Sequence, residues 1–177
     1  MNPIDRSPAI LSKNAPEFLA PLADTPYHRQ RTVDHQDSVV AAFTVVVRHR
    51  VPLFTNDAIV TKFEGILRSE AEKFRCEALM YLFMPDRCSL LLQGNDGHAG
   101  LINVMRGFRS GAGYWLSRIQ CNAKWHDTRG HHAHAINQDI LSYARTLVLA
   151  PVQAGLATDW RQYRFKGSTL YTLESWL

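Results

Sequence analysis

The alternation of apolar and polar positions predicts a strand, a helix and two further strands in the first half of the folded region. The run 38–48 (SVVAAFTVVVR) is nearly continuously apolar and rich in Val, which is typical of a buried strand. A helix is predicted next, with Thr55 as its N-cap and one apolar face made of Ile59, Phe63, Ile66, Leu67 and Phe74. Two strands, 77–84 and 88–93, follow around a tight turn.

The second half of the chain is predicted to contain two more helices and one extended segment. Apolar residues three or four positions apart predict a helix over 101–119, and 124–136 is expected to be a last strand or extended segment. Asn137 is the expected cap of a third helix, and Pro151 is expected to end that helix or to start a short continuation. The order β-α-β-β-α-β-α predicts an α+β, ferredoxin-like split βαβ sandwich, in which helices pack on a mostly antiparallel sheet.

The first 37 residues are predicted to be an irregular arm, and 38–177 a single domain. The arm holds five of the eight prolines and sustains no period. No stretch approaches 18 consecutive apolar residues, and the chain does not begin with a basic segment followed by an apolar run. A cytoplasmic protein without a membrane span is therefore expected. Three widely spaced cysteines form neither a disulfide framework nor a zinc pattern, so reduced thiols are expected: Cys76, Cys88 and Cys121.

Positive charge is concentrated in the second half of the chain. From His98 to Leu177 there are nine Lys or Arg residues and four acids, whereas the first 97 residues carry eleven bases and twelve acids. A basic half suits a polyanion such as DNA, and neighbouring aromatic rings can stack on unpaired bases. A merely solvated basic face is the alternative. The candidate DNA contacts are Arg106, Arg109, Arg118, Lys124, Arg129, Trp160, Arg161, Tyr163, Arg164 and Lys166.

Four histidines within nine residues raise the question of a metal site. They are His126, His131, His132 and His134. If the segment is extended, His132 and His134 share a face. The alternative, which we favour, is that these side chains have ordinary polar and packing roles, so no metal site is predicted.

Four segments, in the same order along the chain, resemble the motifs of the REP-associated tyrosine transposases, which are single-tyrosine HUH transposases. The most specific is 81–92 (YLFMPDRCSLLL), similar to the family's Y-x-V-M-P-N-H-x-H-L-L-L. The others are 43–54, which ends in VPLF, 125–136 (WHDTRGHHAHAI) and 144–156 (ARTLVLAPVQAGL). The resemblance spans about residues 38–165 and implies the same α+β fold.

The resemblance also implies a chemistry, and this chain departs from it at each chemical position. In the family, two histidines and a residue on the last helix bind Mg²⁺ or Mn²⁺, and a tyrosine one turn before that residue attacks the scissile phosphate of single-stranded DNA. The two histidine positions fall on Arg87 and Ser89, the tyrosine on Thr146 and the helical ligand on Ala150. Arginine has no free lone pair and alanine has no donor atom, so no metal cofactor is expected here.

The leading prediction is therefore a catalytically inactive DNA-binding protein of the transposase type, acting as a monomer or homodimer. Its partner would be single-stranded or hairpin DNA of a transposon or REP-type element. Arg87 would be a bidentate phosphate contact, or else a solvated turn residue. Two other functions stay open: an active transposase or nuclease with Tyr143 as a displaced nucleophile, and a protein-interaction module that has lost DNA binding.

Overall fold

The computed structural model describes residues 39–94, 98–126 and 139–177, together with the backbone of 132–135. In this part of the chain five strands form one sheet: β1 (Val39–Val46), β2 (Cys76–Met84), β3 (Arg87–Gly94), β4 (His132–Ala135) and β5 (Lys166–Gly167). The spatial order is β4-β1-β3-β2-β5, and every neighbouring pair is antiparallel. The four longer strands give the sheet of the predicted ferredoxin-like fold.

Five helices accompany the sheet. They are α1 (Asp57–Lys73), α2 (His98–Arg118), α3 (Ile140–Val148), α4 (Ala150–Gln153) and α5 (Leu173–Trp176). Short 3₁₀ turns lie at Arg48–Arg50 and Trp160–Gln162. The predicted α+β class and element order are confirmed, and none of the described helices is long and apolar enough to cross a membrane. All three cysteines are free thiols.

Two helix starts differ from the prediction because other side chains provide the caps. The cap of α1 is Asn56 rather than Thr55, and its Oδ1 accepts a hydrogen bond from the Ala58 N–H at 2.8 Å. The cap of α3 is Asp139, whose Oδ1 accepts from the Ser142 N–H at 3.1 Å. The predicted cap Asn137 lies outside the described residues.

The predicted last strand or extended segment, 124–136, is described only in part. Its regular part is β4, and Trp125 makes only an isolated bridge to Val47. Residues 127–131 lie outside the described part of the chain. Pro151 lies in the first turn of α4, where proline is tolerated. The short helix α4 is therefore the continuation of α3, which is one of the two predicted possibilities.

The two faces of the sheet are covered by different elements. On one face, α1 and α2 pack with the strands around fully buried rings such as Phe63 and Phe108. On the other, α3 packs through Ala144 and Val148 beside Leu91 of β3, together with residues of the C-terminal tail. Because side chains alternate along a strand, Arg87 and Ser89 share the α3 face with Leu91.

Candidate nucleic-acid interface

Arg87 and Ser89 lie at the start of β3, where the resemblance implies two metal-ligating histidines. Ser89 is 8% exposed, and its Oγ lies 3.4 Å from Oγ1 of Thr44, its partner across the β1–β3 pair. Arg87 is partly buried, with Nε 3.5 Å from Asp86 Oδ1. A metal ligand must offer a lone pair; a guanidinium has none, and the hydroxyl of Ser89 is a poor substitute for imidazole. The metal site that the resemblance implies therefore does not fit the residues at these positions.

The corresponding helical positions do not complete a site either. Ala144 and Val148 face the sheet, so Thr146, half a turn away, lies on the exposed side of α3. Its Oγ1 donates to the Ser142 carbonyl of the same helix at 3.1 Å. Ala150, which has no donor atom, packs against the core on this face of the sheet.

Tyr143 is partly buried and packs against the same core. Burial raises the pKa of its hydroxyl above the ordinary value for tyrosine. A nucleophilic tyrosine is activated by a neighbouring base, a metal ion or a lowered pKa. The surroundings of Tyr143 instead raise the pKa of its hydroxyl and so disfavour its activation as a nucleophile.

The histidine-rich segment is only partly described. Among the residues whose side chains the structure describes, no three His, Cys, Asp or Glu residues come together as a metal-binding group. His126 is exposed and donates its backbone N–H to the Val46 carbonyl at 2.8 Å. His131 lies outside the described residues, as do the side chains of His132 and His134.

Two of the predicted DNA contacts in the C-terminal tail, residues 159–177, are buried and bonded within the fold. Tyr163 is 8% exposed, and its hydroxyl donates to the Phe83 carbonyl at 2.7 Å. The Lys166 side chain is also only 8% exposed, and its Nζ donates to Glu174 Oε1 at 3.2 Å. Tyr163 and Lys166 therefore offer little exposed surface for a contact with DNA.

Of the other predicted contacts of the tail, Trp160 is partly buried against the core, whereas Arg161 and Arg164 are exposed but lie beside acids. The Arg161 guanidinium lies 4.8 Å above the Trp160 ring, and its Nη1 is 3.6 Å from Asp159 Oδ1. Arg164 pairs with Asp57 at the start of α1. Arg161 and Arg164 can reach a ligand, but each adjacent carboxylate offsets part of the attraction for phosphate.

The predicted contacts on and after α2 are mostly open to solvent. Arg106, Arg118 and Lys124 are exposed, whereas Arg109 is partly buried and its Nη2 donates to the His126 carbonyl at 3.3 Å. Arg129 lies outside the described residues.

A further basic surface surrounds the end of β1, and only two of its members, Arg87 and Lys124, are among the predicted DNA contacts. We call it the β1-end surface, and it consists of Arg48, His49, Arg50, Arg87 and Lys124. Backbone hydrogen bonds hold its parts together: the Val47 N–H donates to the Asp86 carbonyl at 2.8 Å and the Arg48 N–H to the Lys124 carbonyl at 2.7 Å. Two segments that are distant in sequence thereby join the end of β1.

The β1-end surface keeps a net positive charge. Asp86 Oδ2 is 2.9 Å from Arg50 Nη1, and its Oδ1 is the partner of Arg87 described above. Arg48 and Lys124 are exposed and form no ion pair with another described residue. One carboxylate between two arginines leaves a positive potential that attracts phosphate.

The turn that carries these cations is strained. His49 and Arg50 have φ of 58° and 55°, in the left-handed region that favours glycine. This conformation costs about 1–2 kcal/mol per non-glycine residue, and such strain is concentrated at functional sites. Three consecutive basic residues directly after a strand, with no glycine, are the sequence signal that could have indicated this surface.

The fold is similar to that of a REP-associated tyrosine transposase whose structure is solved bound to a REP hairpin. The two chains are 15% identical with a TM-score of 0.54, over 82% of this chain and 83% of that one. A protein of Deinococcus radiodurans, described as an inferred transposase, is 16% identical over 67% of this chain and 92% of its own, but its TM-score of 0.39 carries no argument. No protein-family model and no curated protein matches the sequence.

At this level of identity the likeness shows the fold alone. The chain has a transposase-like α+β fold. Its membership of the REP-associated tyrosine transposase family stays a prediction from the four motifs.

Proposed function

We propose that this chain is a transposase-like protein that binds single-stranded or hairpin DNA of a transposon or REP-type element without cutting it. The observation that carries the proposal is the position of Arg87. A cation stands where the resemblance implies a metal-ligating histidine, and it adjoins the other cations of the β1-end surface. A guanidinium at this point can hold a phosphate through two parallel hydrogen bonds.

Binding without cutting follows from what the side chains can do. A metal ion both neutralises the phosphate and polarises it for attack, whereas an arginine supplies charge and hydrogen bonds alone. Thr146 would have to act as the nucleophile, yet its hydroxyl lies on the solvent side of α3 and donates to its own helix. Tyr143 has a raised pKa, which disfavours attack. The proposed protein is thus a binder with an inactive site.

The DNA would contact the β1-end surface first, and the exposed cations Arg106 and Arg118 of α2 are further candidate contacts. The REP-associated tyrosine transposase of similar fold is bound to a hairpin, which supports a hairpin as the first ligand to test. We further propose a cytoplasmic protein, monomeric or dimeric, in which 38–177 is the DNA-binding domain and 1–37 an arm.

The test is an electrophoretic shift with a single-stranded oligonucleotide that contains a hairpin. Three proteins would be titrated at two salt concentrations: wild type, Arg87→Ala and the control Arg145→Ala. Arg145 is an exposed arginine on α3, away from Arg87 on β3. We expect a shift that salt weakens, weaker binding by Arg87→Ala and unchanged binding by Arg145→Ala, because each lost phosphate contact reduces counterion release.

Parallel denaturing gels, with and without Mn²⁺, test the absence of cutting. We expect no covalent protein–DNA adduct and no cleaved strand. An adduct that survives denaturation would show that a nucleophile acts and would overturn the inactive assignment. If no DNA shifts the protein on the native gel, the proposal fails and an interaction module on the same scaffold becomes the better account.

A further inference from the structure

A groove of about 560 Å³ opens beside the β1-end surface, between the turn after β1 and the segment that follows α2. Part of its wall is apolar, with contributions from Val51, Pro52, Ile59 and Ala123. Val51 is 45% exposed, so its apolar surface faces solvent. The volume lies in the range of roughly 300–1,000 Å³ that is usual for small-ligand pockets, and it suits a single nucleotide.

The polar part of the groove is cationic. Arg48, His49 and Lys124 line it, and no carboxylate belongs to the lining. All three are members of the β1-end surface. The groove is therefore continuous with the surface on which we place the phosphates, and a strand held at Arg87 can follow the same cations into it.

We propose that this groove takes an unpaired nucleotide from the single-stranded part of the bound DNA. The base lies against the apolar wall, and its phosphate lies against Arg48 and Lys124. Bases taken out of a stack are commonly held against aromatic or apolar side chains, and backbone-tracking cations are the usual companions of such a platform. This inference rests on the proposed DNA binding and adds where the unpaired bases go.

Charge and continuity favour this ligand over others. An acidic peptide would also be attracted by the rim and by Arg50 and Arg87, but its carboxylates make no use of the apolar wall. A second copy of the chain would have to bring acids to the groove. A nucleotide uses both halves of the lining at once, the apolar wall for the base and the rim for the phosphate.

The test compares three DNA ligands: a blunt hairpin, the same hairpin with a short single-stranded extension, and that extension made of abasic residues. Fluorescence anisotropy gives each Kd. For wild type we expect the extension to tighten binding by about fivefold, and the abasic version to lose most of this gain, because a base laid on the aliphatic wall removes apolar surface from water. A 2-aminopurine in the extension should change its fluorescence when bound.

Two variants disable the groove, one by filling it and one by adding a negative charge, and each has a matched control. Thr55→Trp places a large ring at a position that lines the groove, and Thr61→Trp places the same ring on an exposed position of α1 outside the lining. Val51→Asp adds a carboxylate that repels phosphate, and Val51→Asn adds a similar volume without charge. We expect Thr55→Trp and Val51→Asp to lose the gain from the extension, and Thr61→Trp to keep it. Val51→Asn is expected to keep more of the gain than Val51→Asp.

The outcomes separate this inference from the function on which it rests. If no hairpin binds wild type, the proposed function itself fails. If hairpins bind but Thr55→Trp and Val51→Asp keep the full gain from the extension, the groove inference is overturned while DNA binding stands. If these variants change self-association and leave every DNA titration unchanged, the groove belongs to a second copy, and the inference is again overturned. Circular dichroism verifies that each variant is folded.

Discussion

Two regions of this molecule look alike in the sequence and differ in the structure. The C-terminal tail and the β1-end surface both place arginines and lysines beside apolar or aromatic residues. In the tail, acids accompany all three cations: Asp159 lies beside Arg161, Asp57 beside Arg164 and Glu174 beside Lys166. At the β1-end surface, Asp86 serves two arginines, while Arg48 and Lys124 have no ion pair among the described residues.

The difference shows why interleaved cations and rings are weak signals of an interface. A cation that pairs with an acid from a distant segment contributes to how the tail docks, and exposed pairs of this kind typically stabilise by only about 0–1 kcal/mol. A cation without such a partner keeps an unpaired positive charge that can attract a ligand. The comparison predicts that substitutions in the tail change stability, whereas substitutions at the β1-end surface change DNA binding.

The largest expected effect is on the stability of the tail. Tyr163→Ala removes a buried ring and its hydrogen bond to the Phe83 carbonyl, and we expect a loss of about 3 kcal/mol in the free energy of unfolding. Tyr163→Phe keeps the ring and is expected to lose about 1–2 kcal/mol. Urea unfolding measures both. The fraction that stays folded should bind hairpin DNA with wild-type affinity, and weaker binding would return Tyr163 to the interface.

The next effect is on binding at the β1-end surface. Arg48→Ala/Lys124→Ala is expected to weaken hairpin binding about tenfold at 0.1 M salt and to flatten the slope of log K against log salt by about 1.5, because two phosphate contacts are lost. Lys62→Ala/Arg145→Ala removes the same charge from exposed positions elsewhere and serves as the control. Equal losses in the two double variants would mean that total charge, and not this surface, governs binding.

These two predictions rest on features that the sequence revealed to different degrees. The fold could be predicted because local patterns determine it: the apolar run of β1 and the helical spacing of α1 place each element in order. The residues at the positions where the resemblance implies metal ligands, Arg87 and Ser89, can also be identified from the sequence alone.

The surface could not be predicted in the same way because tertiary pairing decides it. Nothing local in the tail indicates that Lys166 would be buried beside Glu174, or that Arg164 would reach Asp57, 107 positions earlier. Likewise, Arg48 and Lys124 become neighbours through a backbone hydrogen bond between distant segments. Which cations stay unpaired and can attract DNA therefore depends on contacts that form only in the folded chain.

A smaller effect on the stability of the fold is expected at alkaline pH, and it comes from Tyr171 in the tail. Tyr171 packs on Trp176, and burial raises the pKa of its hydroxyl to about 12. The folded protein therefore favours the neutral phenol, while the unfolded chain loses that proton near pH 10. The stability that this preference contributes is present below about pH 10 and is lost as the pH rises towards 12.

Tyr171→Phe removes this titration. The drop in the urea midpoint between pH 8 and pH 11 should be smaller for Tyr171→Phe than for wild type, although other buried tyrosines, such as Tyr163, contribute in the same direction. Tyr114→Phe, at an exposed position of α2, is the control and should show the wild-type drop. An identical drop in all three proteins would contradict the role of Tyr171.

The smallest expected effect tests the comparison most directly. Arg161→Ala/Arg164→Ala removes two exposed cations, the same number as Arg48→Ala/Lys124→Ala, but both lie beside carboxylates that already offset their charge. We expect less than about a twofold change in hairpin affinity and little change in the salt slope, because few counterions are released at paired cations. A tenfold loss would place DNA on the tail as well, and the distinction between a structural and a binding region would then fail for its exposed arginines.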